Sequence, residues 1–73
     1  MELNRIVEIA QYAKANNDPG PLSMGEALTA ALVLNRHDWL KRMDYTIAEA
    51  LDRIDTDTVP HLRDAERIVR GEV

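Results

Sequence analysis

Cysteine is absent from the chain, which excludes disulfides and thiolate metal sites as sources of stability. That absence fits a reducing compartment, and a cytoplasmic location is the expectation. Aromatic residues are scarce as well: Trp39, Tyr12 and Tyr45 are all there are, so aliphatic side chains must build the core nearly alone. No long hydrophobic run exists; the most apolar stretch, Ala27 to Leu34, falls far short of the ~20 residues that span a bilayer core. The N-terminal "MELNRIVEIA" carries Glu2 and Glu8 and no basic region ahead of an apolar run, so it does not read as a signal peptide. Basic charge is also in deficit, with Lys and Arg totalling 9 against 13 Asp and Glu, for a net charge of -4. That sign repels phosphate backbones and favours a protein partner with a basic surface.

What remains is a short chain with helical punctuation. Its 73 residues allow one domain, residues 1–73, which at this size buries only about 60% of the surface its unfolded form exposes. Leu3, Ile6, Ile9, Ala10, Tyr12 and Ala13 recur at helical spacing, predicting a first helix over residues 2–15. "NNDPGP" then breaks the chain with Asn16, Asn17, Pro19, Gly20 and Pro21. In "LSMGEA", Ser23 is a predicted N-cap, Glu26 its capping-box partner, and Leu22 can staple to Ala27. The helix that follows is apolar around most of its circumference, with Met24, Ala27, Leu28, Ala31, Leu32 and Leu34 on more than one face.

A separate short helix over about 36–43, capped by Asn35 or Asp38, is expected next, against the alternative that the second helix simply runs on. Thr46 and Glu49 repeat the capping box ahead of a helix whose inner face is predicted to be Ile47, Ala50, Leu51 and Ile54. "DTDTVP" breaks the chain again. A last helix starts at Thr58 or Val59 with Pro60 in its first turn, faces inward through Leu62, Ala65, Ile68 and Val69, and stops at Gly71. No strand alternation and no internal repeat is visible. The expected fold is all-α, a compact bundle of four to five short helices.

Chemistry-bearing patterns are few. His37 beside Asp38, and His61 near Asp57 and Asp64, lack the spacing of a metal pair, and "DPGPLSMGEA" lacks the lysine of a phosphate loop. No catalytic residue, metal ligand or cofactor is therefore assigned. The acids Glu49, Asp52, Asp55, Asp57 and Asp64 are interleaved with Arg53, Arg63 and Arg67, which predicts local neutralisation rather than a phosphate mimic. Residues 45–70 superficially resemble the start of helix-turn-helix regulators of the MerR type. That resemblance implies a DNA-binding alternative for residues 47–70 using His61, Arg63, Arg67 and Arg70, although the turn lacks glycine and carries Asp55 and Asp57.

The apolar second helix poses the main question. Each fully buried Leu or Val side chain is worth roughly 1.5–3 kcal/mol relative to exposure, and short neighbouring helices look insufficient to enclose it. A second copy of the chain is the simplest cover, so a homodimer with Leu28, Ala31, Leu32, Leu34 and Trp39 in its interface is expected. Trp39 reads either as a core residue that anchors the short helix onto the bundle, the more frequent role of a lone Trp, or as an interface residue. In the second role Trp39, Leu40 and Met43 would provide contact area for a further partner, with Arg36, Lys41 and Arg42 orienting it. In size, acidity, lack of cysteine and capped helicity, the whole chain resembles small inhibitors that phages and mobile elements encode, of the anti-CRISPR or quorum-sensing anti-activator type. That resemblance implies a non-enzymatic inhibitor of a host protein and carries over no functional residue.

Overall fold

A computed structural model describes residues 1–72 and is all-helical, as the sequence predicts. Five α-helices follow one another: α1 (Leu3–Asn16), α2 (Met24–Val33), α3 (His37–Arg42), α4 (Ile47–Arg53) and α5 (Leu62–Arg70), with a 3-10 turn at Val59–His61 leading into α5. Among the described residues there is no strand.

Side chains close to the backbone determine where these helices start. The Ser23 hydroxyl accepts the Glu26 N–H at 3.3 Å while the Glu26 carboxylate accepts the Ser23 N–H at 3.1 Å. The same reciprocal box opens α4, where Thr46 accepts from Glu49 at 3.1 Å and Glu49 from Thr46 at 2.9 Å. Four helices stop at a residue in the left-handed region: Asn17, Asn35, Asp44 and Gly71, with φ of 52°, 56°, 63° and 77°. In each case the next N–H reaches back to satisfy a carbonyl of the last turn, as from Asp18 to Ala13 at 3.1 Å, Arg36 to Ala31 at 2.9 Å and Tyr45 to Leu40 at 2.9 Å. Asn and Asp tolerate this conformation better than other residues with a Cβ. Asn35 therefore ends α2 instead of capping α3. The N-cap of α3 is Arg36, without a side-chain cap bond, and Asp38 lies in its first turn.

α2 is the centre of the molecule and is packed by α1, α3, α4 and α5. Leu28, Ala30 and Ala31 are fully buried, and Ala27 and Val33 nearly so. Thr29 is buried too, its hydroxyl donating to the Gly25 carbonyl at 2.8 Å so that no polar atom is stranded. Most of the apolar helix thus finds cover within one protomer; of the residues expected in a dimer interface, Leu28, Ala31 and Trp39 are buried inside it while Leu32 and Leu34 stay half-buried. The reason is side-chain size. Three of the neighbours of α2 place fully buried alanines in the core, Ala10 and Ala13 on α1, Ala50 on α4 and Ala65 on α5, and small side chains at a contact let helices approach closely. Trp39 from α3, 1% exposed, fills the largest remaining volume.

Two inner faces are narrower than predicted. On α4, Ala50 and Ile54 point inward, but Ile47 and Leu51 remain 44% and 38% exposed. On α5, Ala65 is buried while Ile68 is 47% exposed. α4 is only seven residues long and leans on α2 and α3 along a thin edge, which is too little surface to bury all of its apolar side chains.

Trp39→Ala should lower the unfolding free energy by about 3–5 kcal/mol, a large part of the roughly 4–11 kcal/mol available to a chain of this length. Ser23→Ala and Thr46→Ala should each cost about 1 kcal/mol. Urea unfolding followed by circular dichroism measures all three, and an unchanged midpoint for Trp39→Ala would contradict a core position for the indole.

Candidate protein-docking surface

Several residues expected to face a partner are turned inward. Trp39 and Leu40 are 1% and 4% exposed, so neither offers contact area; they close the core beneath α3. Leu28 and Ala31 are fully buried, while Leu32 and Leu34 are half-buried. Arg36 lies over the Trp39 ring at 4.2 Å from its centroid. Its Nε and Nη2 donate to the Asp38 carboxylate at 2.9 and 2.8 Å, and its Nη1 donates to Asn17 Oδ1 at 2.7 Å. Arg42 Nη2 donates to Asp18 Oδ1 at 3.0 Å. Both arginines hold the loop after α1 against α3, so they act within the chain rather than as free orienting charges. Lys41 is exposed, Met43 is half-buried, and Lys41 makes no ion pair among the described residues.

The short α3–α4 turn leaves a groove between these helices. Its larger, more open part is a hollow of about 300 Å³ bordered by His37, Leu40, Lys41, Asp44, Tyr45 and Ile47, with Thr46 and Glu49 at its end. A small adjoining hollow shares His37, Leu40 and Ile47 and extends to Leu32 on α2. Leu40 forms the floor, and Ile47 stands between the two hollows. One turn further along α4, Leu51 prolongs the apolar stripe, since residues four apart share a helix face. The α3 wall carries Lys41 and His37, whose Nε2 is hydrogen-bonded to Asn35 Oδ1 at 3.0 Å. The α4 side carries Asp44, Glu49 and Asp52, with Glu49 held in place by its cap bond.

A second apolar area lies where α1 meets the loop into α2. Tyr12 and Met24 are 42% and 43% exposed there. A hollow of about 310 Å³ is lined by Arg5, Glu8, Ile9, Tyr12, Pro21 and Leu22. Through Leu22 it continues into a shallower depression containing Met24, Arg42 and Met43. Charges around this area are already matched: Arg5 pairs with Glu8 and, at 2.8 Å, with Glu26, and Arg42 pairs with Asp18. The Ser23 backbone and Arg5 together hold the Glu26 carboxyl below its usual range.

The arginines of α5 point to acids on their own helix. Arg63 lies 2.6 Å from Glu66, and Arg70 lies 3.7 Å from both Glu66 and Glu72. Arg63 thus pairs with Glu66, not with the neighbouring aspartates, and Arg67 is exposed. His61 is half-buried. Between α4 and α5 the chain takes residues 54–61, including the 3-10 turn, where a helix-turn-helix needs only three or four residues. Asp57 pairs with the Met1 amino group at 3.1 Å, which depresses its pKa. Among the described residues no group of three potential ligands surrounds a metal position, and no helix is long and apolar enough to cross a membrane.

The chain matches no family model, no curated protein and no solved structure. The functional case therefore rests on its own surface. Sequence reasoning assigned Ile47 and Leu51 to the core because their spacing is that of an inner face. The available signal was the shortness of α4 between Thr46 and "DTDTVP": two turns offer too little packed surface against α2 and α3 to bury four apolar side chains.

The hydrogen bonds from Arg36 hold the Asp38 carboxyl at about 2, below its ordinary 3.8. Because the folded-state value is the lower one, the stabilisation is fully present above the unfolded-state value and disappears as pH falls from about 3.8 through about 2. Carbon NMR should place the Asp38 midpoint near 2, and Asp38→Asn should flatten the corresponding loss of stability in acid. A midpoint at the ordinary value would mean that the Arg36 bridge does not persist in solution.

Proposed function

We propose that this chain is a non-enzymatic protein-binding domain that docks another protein in the α3–α4 groove and acts as a small inhibitor or anti-activator of it. The observation that carries this reading is the exposure of Ile47 and Leu51, 44% and 38%, on adjacent turns beside a groove floored by Leu40. The core is complete without them. Withdrawing such side chains from water on binding returns up to roughly 1.5–3 kcal/mol each, and a groove with apolar anchors at Leu40 and Ile47 and a polar rim of His37, Lys41, Asp44 and Glu49 is the kind of surface on which a partner helix can dock.

The α1–α2 area offers similar apolar exposure but a rim whose charges are already paired. Around the α3–α4 groove, Lys41, Asp44 and Asp52 make no ion pair among the described residues. Unpaired rim charges steer a partner and reject wrong ones, whereas a self-neutralised rim contributes little of either. Lys41 thus keeps the orienting role expected for it, while Ile47 and Leu51 take the anchoring role expected of Trp39 and Leu40.

Affinity capture from a lysate of the organism that encodes the chain tests this with two variants. Ile47→Asp with Leu51→Asp alters exposed positions, so circular dichroism should remain unchanged while the captured protein is lost. Tyr12→Asp with Met24→Asp should retain it. The reverse pattern would move the docking surface to α1 and α2, and capture by neither the parent chain nor the variants would overturn the proposal.

A further inference from the structure

Resting on the docking reading above, we infer that the occupant of the α3–α4 groove is a basic amphipathic helix of a different protein, not a second copy of this chain. Ile47 and Leu51 stand four residues apart, and Ala48 and Asp52 form the neighbouring stripe on the outward side of α4. Asp44 lies just before the helix and is exposed, as is Asp52, whereas Asp55 and Arg53 turn to a separate hollow beside Met1 and Ser23. The apolar dyad is therefore bordered by Asp44 and Asp52, with Lys41 on the α3 wall.

This arrangement decides between occupants. A two-fold pair of protomers joined through this stripe would bring two chains of net charge -4 together along an edge where each exposes Asp44 and Asp52, and like-charge juxtaposition opposes association. Nucleic acid and anionic lipid surfaces are repelled by the same acids. A helix with apolar residues at i and i+4 and Lys or Arg on either side satisfies both features: its anchors fit a hollow of about 300 Å³, too small for more than a few side chains, and its cations meet the aspartates.

The test is a titration of the isotopically labelled protein with three helical peptides: one with Leu at i and i+4 flanked by Lys, one with every Lys replaced by Glu, and one with the Lys sequence scrambled. The Lys-flanked peptide should shift the amide resonances of residues 37–52 and bind at least about tenfold more tightly than the other two. Asp44→Asn with Asp52→Asn should weaken it by roughly five- to tenfold at low salt and leave the fold intact, since Asn tolerates the left-handed conformation of Asp44 as well as Asp does. Raising the salt concentration should erase most of that difference. Equal binding of the Lys and Glu peptides at the groove would overturn the inference while leaving the docking reading in place. A failure of every peptide to perturb residues 37–52 would remove both. Sedimentation of the unliganded protein showing a dimer abolished by Ile47→Asp would assign the groove to a second copy instead.

Discussion

Alanines on α2 and on the faces opposite it set the distance at which the helices of this molecule pack. Helices that meet through Ala approach more closely than helices that meet through Leu or Phe, because interaxial distance follows the side chains at the contact. Close approach allows neighbours of two to four turns to enclose a helix that is apolar nearly all round. Ala27, Ala30 and Ala31 supply that closeness from α2, and Ala10, Ala13, Ala50 and Ala65 answer it. Between the alanines the core is filled by Ile6, Ile9, Leu28, Leu40 and Ile54, with Trp39 as its largest fully buried side chain.

A tightly wrapped centre has consequences at the edges. The loop after α1 must turn sharply past Asn17 and Asp18 to bring α2 beneath α1, and it does so under the hold of Arg36 and Arg42. Arg36 joins three tasks in one guanidinium: it lies on the outer face of the Trp39 ring, accompanies Asp38 in the first turn of α3, and anchors the residue that ends α1. These contacts lie at the surface, and exposed ion pairs of this kind contribute modestly to stability. Their effect is to fix geometry, because Trp39 can be sealed only if α3 stays seated.

The sequence revealed the local rules well and the tertiary ones unevenly. Ser23 with Glu26, and Thr46 with Glu49, announced two helix starts because capping depends on residues three apart. The breaks after α1 and α4 were legible from Asn, Pro and Asp for the same reason. Asn35 was misassigned as a cap of α3 since ending one helix and capping the next use the same residue type, and only the backbone decides between them. Exposure was harder to read. Spacing places Ile47 and Leu51 on an apolar face but says nothing of how far the neighbouring helix extends beneath it. Trp39 could be read as core or as contact surface, and Leu40 and Arg36 as partner contacts, because an Arg beside a Trp has the same composition in a hot spot as in a sealed core; the structure gives Trp39 the core role. What separates them is which side of the ring meets other side chains, a three-dimensional fact.

Burying α2 within one protomer also redirects the question of partners. Had α2 been left uncovered, its apolar surface would have demanded an obligate, permanent mate. Instead the remaining exposed large apolar side chains are spread over separate places, Ile47 with Leu51 on α4, Tyr12 with Met24 near the α1–α2 loop, Val59 in the 3-10 turn and Ile68 on α5. Side chains so separated suit association that is reversible and governed by the charges around them. On one side those charges cancel internally through Arg5, Glu8, Glu26, Asp18 and Arg42. On the other, Lys41, Asp44 and Asp52 make no ion pair among the described residues, an asymmetry that stable folding does not require and that partner selection can use.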